Sequence, residues 1–378
     1  MRDLQNIRME IDEIDEEIVK LFKRRMDCSG EVAQYKIDKN REVLDKNREK
    51  AKISRALAVL NEPKYDKALE ELFMQLMSLG RRYQYRIMGE VDTYIKDNFT
   101  RVDKLPIDEN TKVVYQGVPG AYQEEAMVKF FGEEVKNVSV KEFKDVLITL
   151  DQGKADYGLL PIENSTAGTV SGIYDLLLEH DVFVVGEVQV FCKHMLAGLP
   201  GVDLKDVTTV YSHPQALKQC DRFLSVYPWG KATALNTAMA AKKIAEEGIE
   251  RHMAICSERA AKIYGLEIYA REINHESNNC TRFVVFSKKK QYRKDAKKLS
   301  ISFSLPDEHE IGSLHSILGH FTFNSVNMTN LESRPLPNRR WEYGFYIDVK
   351  GNLMDPEVEN ALKGIREEVY DFKILGNY

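Results

Sequence analysis

The sequence has few cysteines, and those it has lie far apart. They are Cys28, Cys192, Cys220, Cys256 and Cys280 in a chain of 378 residues, and no CxxC pair occurs. An odd and scattered set predicts neither a disulfide framework nor a zinc site. The simplest expectation is a protein without metal in the reducing cytoplasm.

Long apolar runs and basic blocks are also missing. The start, MRDLQNIRMEIDEIDEE, alternates charges with single apolar residues, unlike the apolar centre of a signal peptide. No uninterrupted apolar stretch is long enough to span a bilayer. A net charge of −5 without a basic block argues against a nucleic-acid partner. The length predicts two to four globular domains.

The N-terminal part, residues 1–88, is predicted to be all-helical. Isoleucine and leucine recur there at an alternating spacing of four and three, which is typical of the buried seam of a helix. The seam consists of Ile7, Ile11, Ile14, Ile18 and Leu21. We expect helices over about 3–38, 42–60 and 64–85, followed by a polar linker over about 89–111.

Two further regions follow the linker. In residues 112–288, strand-like segments such as KVVYQ, YGLLPI and VTTVYS each precede a small-residue loop and a helical pattern. This alternation predicts an α/β region with a parallel sheet. Residues 298–378 show the order β-α-β-β-α-β, which is ferredoxin-like.

Charged and polar side chains interrupt the apolar faces of the N-terminal helices. They are Arg25, Lys36, Asp45, Arg48, Glu49 and Gln84. Arg25 continues the apolar seam of the first helix. Taken alone, it would be interpreted as a snorkelling or ion-paired side chain. Lys36 falls about 20° away on the same helix face, however, and residues 45, 48 and 49 share a face of the next helix. Together they predict a polar pocket for a small anion.

Arg8 lies 17 residues before Arg25. That separation is about 25 Å along a helix, since each residue adds about 1.5 Å. Arg8 therefore cannot serve the same pocket within one straight helix. If it is functional, it reaches the pocket of another chain, which predicts an intertwined homodimer or a larger homo-oligomer.

This set of residues resembles the active site of the all-helical chorismate mutases. The resemblance implies that Arg8 comes from the partner chain and that the arginines hold the two substrate carboxylates. Lys36 and Gln84 would face the ether oxygen, with Glu49 nearby. The reaction is a unimolecular rearrangement, so the protein needs only to hold the substrate compact and stabilise developing charge. One departure is Gly80, where the family usually has a serine, which implies one missing hydrogen bond.

The middle region resembles prephenate dehydratase across 112–288. Four motifs carry the resemblance: GVPGAY, LLPIENSTAGTV, SHPQALKQC and NNCTRFVVF. It implies two α/β lobes similar to a periplasmic binding protein, with the site in the cleft. Small polar residues at helix starts can bind anions, although ordinary helix capping explains any one of them. The expected substrate-binding residues here are Glu163, Asn164, Ser165, Thr166, Ser212 and Arg282. Gln123 departs from the family's usual serine.

The TRF motif contains the residue that the resemblance makes essential, Thr281. Prephenate dehydratase expels carbon dioxide and the ring hydroxyl together, and a threonine hydroxyl can hydrogen-bond the departing group. Glu163 is a second candidate for positioning or proton supply. Strand alternation points Thr281 one way and Cys280 and Arg282 the other. Arg282 is expected to anchor a nearby carboxylate, unless a bulge turns it to the substrate.

The C-terminal region resembles ACT domains, which bind amino acids. GSLH and LESRP carry this resemblance, and Ser313 and His315 depart from the usual Gly-Ala-Leu-Val. It implies feedback inhibition by phenylalanine. The effector residues would be Gly312, Ser313, Leu314, Asn327, Glu332, Ser333 and Arg334.

The three resemblances together imply a bifunctional enzyme that converts chorismate to prephenate and then to phenylpyruvate without a cofactor. A different class of protein, a cytoplasmic amino-acid sensor, would keep the fold without turnover. The charged helical pocket and the intact TRF motif disfavour it. A dehydratase whose mutase region is inactive is a further alternative, which Gly80 leaves open.

Overall fold

The computed structural model describes residues 2–89, 93–170, 172–276, 278–305, 312–336, 339 and 342–378. The chain divides into two compact units. One contains Met1–Phe99 and Ala296–Ile374, and the other contains Thr100–Asp295 and Leu375–Tyr378. The C-terminal segment therefore joins the N-terminal helices in space, although almost two hundred residues separate them in sequence.

The N-terminal region is helical, as the sequence predicts. Its helices are α1 (Leu4–Asp38), α2 (Lys46–Leu60), α3 (Asp66–Gly89) and α4 (Tyr94–Asn98). The start of α2 is later than expected because Asp45 caps the helix, accepting a hydrogen bond from the Arg48 N–H at 3.0 Å. The segment expected to be linker contains α4 and a short strand, β1 (Thr100–Val102).

The apolar seam of α1 is not covered by its own chain. The exposed fractions of Ile11, Ile14, Ile18 and Leu21 are 50%, 49%, 55% and 62%. Leu4, Met9, Val19 and Phe22 on the same helix are exposed as well. A solvated apolar stripe of this length is unusual in a monomer and typical of a protein–protein contact.

The described part of the second unit contains two large sheets with helices around them and a small sheet in which β1 pairs with the strand Gln291–Arg293. Its further strands are β2 (Lys112–Gln116), β3 (Lys136–Val140), β4 (Tyr157–Asn164), β5 (Gly168–Thr169), β6 (Phe183–Phe191), β7 (Met195–Gly198), β8 (Thr209–Ser212), β9 (Gly230–Thr233), β10 (His252–Cys256), β11 (Glu267–Ala270), β12 (Cys280–Ser287) and β13 (Gln291–Arg293). Its helices are α5 (Tyr122–Phe131), α6 (Phe143–Asp151), α7 (Ile173–Glu179), α8 (Pro214–Gln219), α9 (Asp221–Leu224), α10 (Thr237–Glu247) and α11 (Glu258–Ile263).

The two large sheets define two lobes. The first has the strand order β6-β12-β4-β2-β3, and the second has the order β11-β7-β10-β8-β9. The chain passes from the first lobe to the second after β6 and returns before β12. Neighbours joined by a helix are parallel, as expected, but β12 is antiparallel to both β4 and β6. The prediction of a parallel sheet is wrong at β12, because the returning strand enters from the other lobe, and at β7, which is antiparallel to β10 and β11.

The C-terminal region has the predicted β-α-β-β-α-β order. Its elements are β14 (Lys298–Ser304), α12 (Ser313–Phe323), β15 (Met328–Pro335), β16 (Tyr343–Lys350), α13 (Pro356–Glu368) and β17 (Tyr370–Asn377). The strand order is β15-β16-β14-β17, and β16 is antiparallel to both of its neighbours. We refer to Ala296–Ile374 as the C-terminal module.

The helices of this module pack directly on α3. Lys363 donates to the carbonyl of Met88 at 2.7 Å, and Arg82 donates to the carbonyl of Ser316 at 3.1 Å. Gly319 and Gly364 make this approach possible because a Cβ at either position would overlap Arg82 or His320.

Candidate active sites

A polar cavity of about 390 Å³ lies among α1, α2 and α3. The sequence predicted six of its lining residues: Arg25, Lys36, Asp45, Arg48, Glu49 and Gln84. They come from three helices, and the helical periodicity alone was enough to bring them to one side. Asp45 and Arg48 are exposed at the mouth, whereas Gln84 is buried.

The cations of the cavity are oriented by main-chain carbonyls. Arg25 Nη1 donates to the carbonyl of Leu76 at 2.6 Å, and Lys36 Nζ donates to the carbonyl of Val43 at 2.6 Å. Burial lowers the pKa of Arg25, opposed by Glu49, and burial lowers the pKa of Lys36, opposed chiefly by Asp45. The carbonyl oxygen Oε1 of Gln84 is buried and has no hydrogen-bond partner among the described residues. The site therefore presents positive charge and unused polar groups to a small anion.

Sequence reasoning missed several residues of this cavity. Lys52 lies four residues after Arg48, one turn along α2, and the same periodicity could have identified it. Arg81 donates through Nη1 to both carboxylate oxygens of Glu49, at 2.6 and 2.7 Å. Nothing in the local pattern of α3 distinguishes Arg81 from its neighbour Arg82.

Gly80 lines the cavity from α3 and faces two side chains of α1. A Cβ on Gly80 would lie 3.2 Å from Ser29 Oγ and 3.4 Å from Arg25 Nη1. Ser29 is one turn after Arg25, lines the cavity, and donates to the Arg25 carbonyl at 3.1 Å. A hydroxyl from α1 thus occupies the space beside Gly80.

Arg8 does not line this cavity. It belongs to the same continuous helix as Arg25 and is exposed. The unbroken helix keeps the separation of about 25 Å that the spacing implies.

A second cavity, of about 260 Å³, lies between the two lobes of the second unit. Gln116, Gln123 and Thr281 line it from the first lobe. His213 and Thr237 line it from the second. The side chain of Gln123 makes a structural hydrogen bond, since its amide donates to the carbonyl of Leu159.

Thr281 faces this cleft and is only 8% exposed. Its hydroxyl oxygen accepts a hydrogen bond from Asn164 Nδ2 at 2.9 Å and lies 3.2 Å from Cys192 Sγ. Burial raises the pKa of the Cys192 thiol to about 11, so the thiol is protonated at neutral pH. Because Asn164 already donates to Thr281, the threonine proton can be directed to a ligand in the cleft.

The hydrogen bonds around Thr281 and Asn164 continue into a network of further neutral side chains. Asn279 Oδ1 accepts from Asn164 Nδ2 at 2.8 Å, and Asn279 Nδ2 donates to Gln219 Oε1 at 3.0 Å. Gln219 Nε2 donates to Thr166 Oγ1 at 2.8 Å, and its Oε1 lies 3.0 Å from His194 Nε2. Burial lowers the pKa of His194, which keeps the ring neutral. No periodic pattern distinguishes His194, Gln219 or Cys192 in the sequence.

Strand alternation is confirmed along β12. Thr281 and Phe283 line the cleft, whereas Cys280 and Arg282 do not. The register against β4 shifts between Arg282 and Phe283, where Ile162 is skipped, so the bulge belongs to β4. It leaves the alternation of β12 intact.

Several expected substrate contacts lie outside the cleft. Glu163 and Arg282 pair with each other at 3.3 Å, and Arg282 also lies 3.3 Å from Glu187. The Ser165 hydroxyl accepts from the Cys280 N–H at 3.0 Å and donates to the Asn278 carbonyl at 3.1 Å. These interactions hold the loop rather than presenting side chains to a ligand.

The two expected helix-start anion sites also differ from the prediction. ENSTAGT forms a tight hairpin between β4 and β5, because Asn164 Oδ1 accepts from the N–H groups of Thr166 and Ala167. Ser212 is fully buried and donates to the carbonyl of Ile255 at 2.7 Å. His213, the next residue, caps α8 and lines the cleft instead.

The expected effector residues lie at the start of α12 and along β15. Gly312 caps α12 with a φ of +86°, a conformation that favours glycine, and Ser313 and Leu314 follow it. Asn327 precedes β15, and its carbonyl accepts from the Lys350 N–H at 2.8 Å. Side chains alternate along β15, so Ser333 faces away from its neighbours Glu332 and Arg334.

Among the described residues, no three His, Cys, Asp or Glu side chains come together as a metal site would need. Within the same ranges, no helix combines the length and apolar content that crossing a membrane requires.

Comparison with known proteins gives the family. A family profile described as chorismate mutase type II matches residues 7–85, and one described as prephenate dehydratase matches residues 113–291. The bifunctional chorismate mutase/prephenate dehydratase of Aquifex aeolicus is 31% identical across 100% of this chain and 98% of that protein. The chain belongs to this bifunctional family. It rearranges chorismate to prephenate and converts prephenate to phenylpyruvate, two successive steps of phenylalanine biosynthesis.

Solved structures agree with the two-lobed dehydratase fold. Prephenate dehydratase from Arthrobacter aurescens in complex with L-Phe has a TM-score of 0.66 and 27% identity, covering 71% of this chain and 89% of that chain. GqqA, described as a novel type of quorum quenching acylase, has a TM-score of 0.63 and 30% identity. It covers 71% of this chain and 97% of that chain.

The crowding at Gly80 generates a prediction about the mutase. We expect Gly80→Ser to lower kcat/KM for chorismate about tenfold, because the new side chain displaces Ser29 and Arg25, and small displacements are costly in a preorganised site. Removing the competing hydroxyl in Gly80→Ser/Ser29→Ala should restore kcat/KM to within about threefold of wild type. Steady-state chorismate assays measure both values. A Gly80→Ser variant at least as active as wild type would contradict the crowding argument.

Proposed function

We propose that the cavity among α1, α2 and α3 is the chorismate mutase site. The observation that supports it best is the convergence of six predicted residues on one cavity, with Gln84 Oε1 unpartnered among the described residues. Arg25 and Arg48 would hold the substrate carboxylates. Lys36 and Gln84 would lie against the ether oxygen, where negative charge develops during the rearrangement.

The carboxylates of the cavity have separate proposed roles. Asp45 is tied to the start of α2 by its bond from the Arg48 N–H, so it orients Arg48 at the mouth. Glu49, held by Arg81, would accept a hydrogen bond from the substrate near the breaking bond. No group in this scheme forms a covalent bond to the substrate.

We infer that the site is completed by Arg8 of a second chain in an intertwined homodimer. The exposed seam of α1 supports this, because a partner helix would remove it from water. The same association would bring the exposed Arg8 of one chain toward the cavity of the other.

Subunit mixing tests this sharing of residues. We expect Arg8→Ala and Arg25→Ala each to lose mutase activity and keep dehydratase activity. Co-expressed with two different tags, they should recover about one quarter of the wild-type mutase activity, because in a symmetric dimer half the molecules are mixed and each has one intact site. The mixed dimer, purified through both tags, should show about one half of the wild-type activity, because one of its two sites is intact. Recovery of no activity from it would show that Arg8 does not act across the dimer.

For the dehydratase we propose that the Thr281 hydroxyl assists loss of the ring hydroxyl. The C–C bond to the departing carboxylate breaks and carbon dioxide leaves, the electron pair of that bond moves into the ring, and the C–O bond breaks as hydroxide leaves and takes a proton from solvent to become water. Thr281 would donate a hydrogen bond to that oxygen, which lowers the charge that develops on it. The bond from Asn164 supports this direction, since it occupies a lone pair of the threonine oxygen.

The remaining cleft residues have supporting roles in this proposal. Asn164 and Thr166 would orient Thr281 through the neutral network. The Glu163–Arg282 pair would fix the β4–β12 register from outside the cleft. Ser165 would hold the loop to Cys280 through its hydrogen bonds, and Ser212 would hold β8 to β10 through its bond to Ile255.

Replacement of the threonine hydroxyl tests the dehydratase assignment. We expect Thr281→Val, which keeps the shape, to lose about 10²-fold or more in dehydratase kcat, within the usual range for proton-transfer assistance. Thr281→Ser should keep most of the activity. Cys280→Ser is the matched control, because its side chain points away from the cleft. Prephenate and chorismate assays on the same preparations separate the two reactions, and normal dehydratase turnover by Thr281→Val would disprove the role.

We also propose that the C-terminal module is an ACT domain that binds phenylalanine and inhibits the enzyme. The ferredoxin-like element order and the left-handed Gly312 at the start of α12 support it. The related dehydratase solved with L-Phe supports the choice of effector.

Titration calorimetry with L-phenylalanine tests the effector proposal. We expect saturable binding and inhibition of prephenate turnover, and about 2- to 10-fold weaker binding by Ser333→Ala if its hydroxyl contributes one hydrogen bond. Thr322→Ala, an exposed position of the same module, should bind like the wild type. Absence of binding, or equal affinity for L-tyrosine, would contradict the assignment of phenylalanine.

A further inference from the structure

One side chain of the mutase cavity is held by the far end of the sequence. Arg81 donates through Nη1 to both oxygens of Glu49, and through Nε to Glu368 Oε1 at 2.8 Å. Its Nη2 lies 3.4 Å from Glu368 Oε2. Glu368 is the last residue of α13. One of the two carboxylates that bind this guanidinium therefore belongs to the C-terminal module.

The carboxylate of Glu368 is built to stay charged. Its side chain is 6% exposed and lies 3.3 Å from His320 Nε2. Burial alone would raise its pKa, but the neighbouring His320 and Arg81 outweigh burial and hold the pKa well below its usual range, and because burial lowers the pKa of His320 itself, the fixed positive charge beside the carboxylate is that of Arg81. The other ionisable groups around it are Arg82 and Tyr85 of α3. A buried carboxylate that remains ionised is a fixed anchor for a guanidinium.

Arg81 contacts two carboxylates that differ in their exposure to solvent. Arg81 and Glu368 are buried, whereas the Glu49 side chain is 25% exposed and borders the cavity. The planar guanidinium cannot rotate to follow one carboxylate without leaving the other. The position of Glu49 in the cavity is therefore set by Glu368.

The placement of Glu368 depends in turn on how α13 packs. Lys363, one turn and a half before it, donates to the carbonyl of Met88 at the end of α3. Gly364 leaves room for His320 between α12 and α13. The module thus reaches the mutase cavity through defined contacts rather than by general proximity.

We propose that Arg81 and Glu368 are positioning residues of the chorismate mutase: Glu368 holds Arg81, and Arg81 holds Glu49 toward the substrate. The C-terminal module is then a part of the mutase site, not only a regulator of the dehydratase. This inference rests on the proposed role of Glu49 in the rearrangement.

Substitution of the anchor in the full-length protein tests it. We expect Glu368→Gln to lower mutase kcat about tenfold, with the KM for chorismate changed less than about twofold, because Glu49 acts mainly as charge develops. Glu368→Asp should recover part of the loss. Glu357→Gln is the matched control, since it removes an exposed carboxylate from the other end of α13. Dehydratase turnover and circular dichroism of the same samples report whether each variant is folded.

A double-mutant cycle with Glu49 distinguishes positioning from general destabilisation. If Glu368 acts through Glu49, adding Glu368→Gln to Glu49→Gln should cost less than twofold more. If Glu368→Gln does not fold, Arg81→Lys takes its place and should show the same kcat loss and the same non-additivity.

The outcomes distinguish failure of this inference from failure of the proposed role of Glu49. If Glu49→Gln loses mutase activity while folded Glu368 variants keep wild-type kcat, the positioning role is wrong and the mutase site stands. If Glu49→Gln itself retains activity, the role of Glu49 is wrong and the inference is overturned with it. Strictly additive losses would also overturn it.

Discussion

A buried charge must be met by an opposite charge, and Arg81 is where this requirement shapes the first unit. Its guanidinium lies between Glu49 and Glu368, two carboxylates more than three hundred residues apart in sequence. Removing either partner would leave charge uncompensated in a poorly solvated place, which is usually more costly than losing the contact itself. The contacts of Lys363 and Arg82 with main-chain carbonyls keep α3 and the C-terminal module close enough for the pair to form.

The two cavities differ in the charge of their side chains. The proposed mutase cavity concentrates Arg25, Lys36 and Arg48, which suits a dianionic substrate in a reaction that only redistributes charge. Around Thr281 the side chains are neutral amides, a protonated thiol and a neutral imidazole. The charged pair Glu163–Arg282 is kept outside this cleft. A neutral setting suits a reaction that expels an uncharged molecule and a hydroxyl group, since strong fixed charges would hold the departing carboxylate in place.

The sequence predicts what depends on local periodicity and fails where distant segments meet. The seam of α1 and the alternation of β12 placed Arg25 and Thr281 correctly, because both follow from the geometry of one element. Ser212 and Glu163 do not line the cleft, which the sequence could not show, because a polar residue beside a loop can serve the fold or a ligand and the pattern is the same. Arg81 could not be found, since its importance comes from Glu368 in another part of the chain. The antiparallel direction of β12 likewise depends on a crossing between lobes that no local pattern records.

The two activities therefore differ in how much of the protein each requires. The dehydratase cleft draws all its lining residues from one unit and one continuous stretch, from Gln116 to Phe283. The proposed mutase cavity lies among three helices, and the apolar seam of α1 is still exposed, so a small bundle of this kind buries too little surface to be rigid alone. Each proposed addition to it, a partner's α1 and the module that contains Glu368, supplies both packing and a charged group. A site assembled from three separate segments gains precision only when all three are present, so its activity is the more sensitive of the two to changes in assembly.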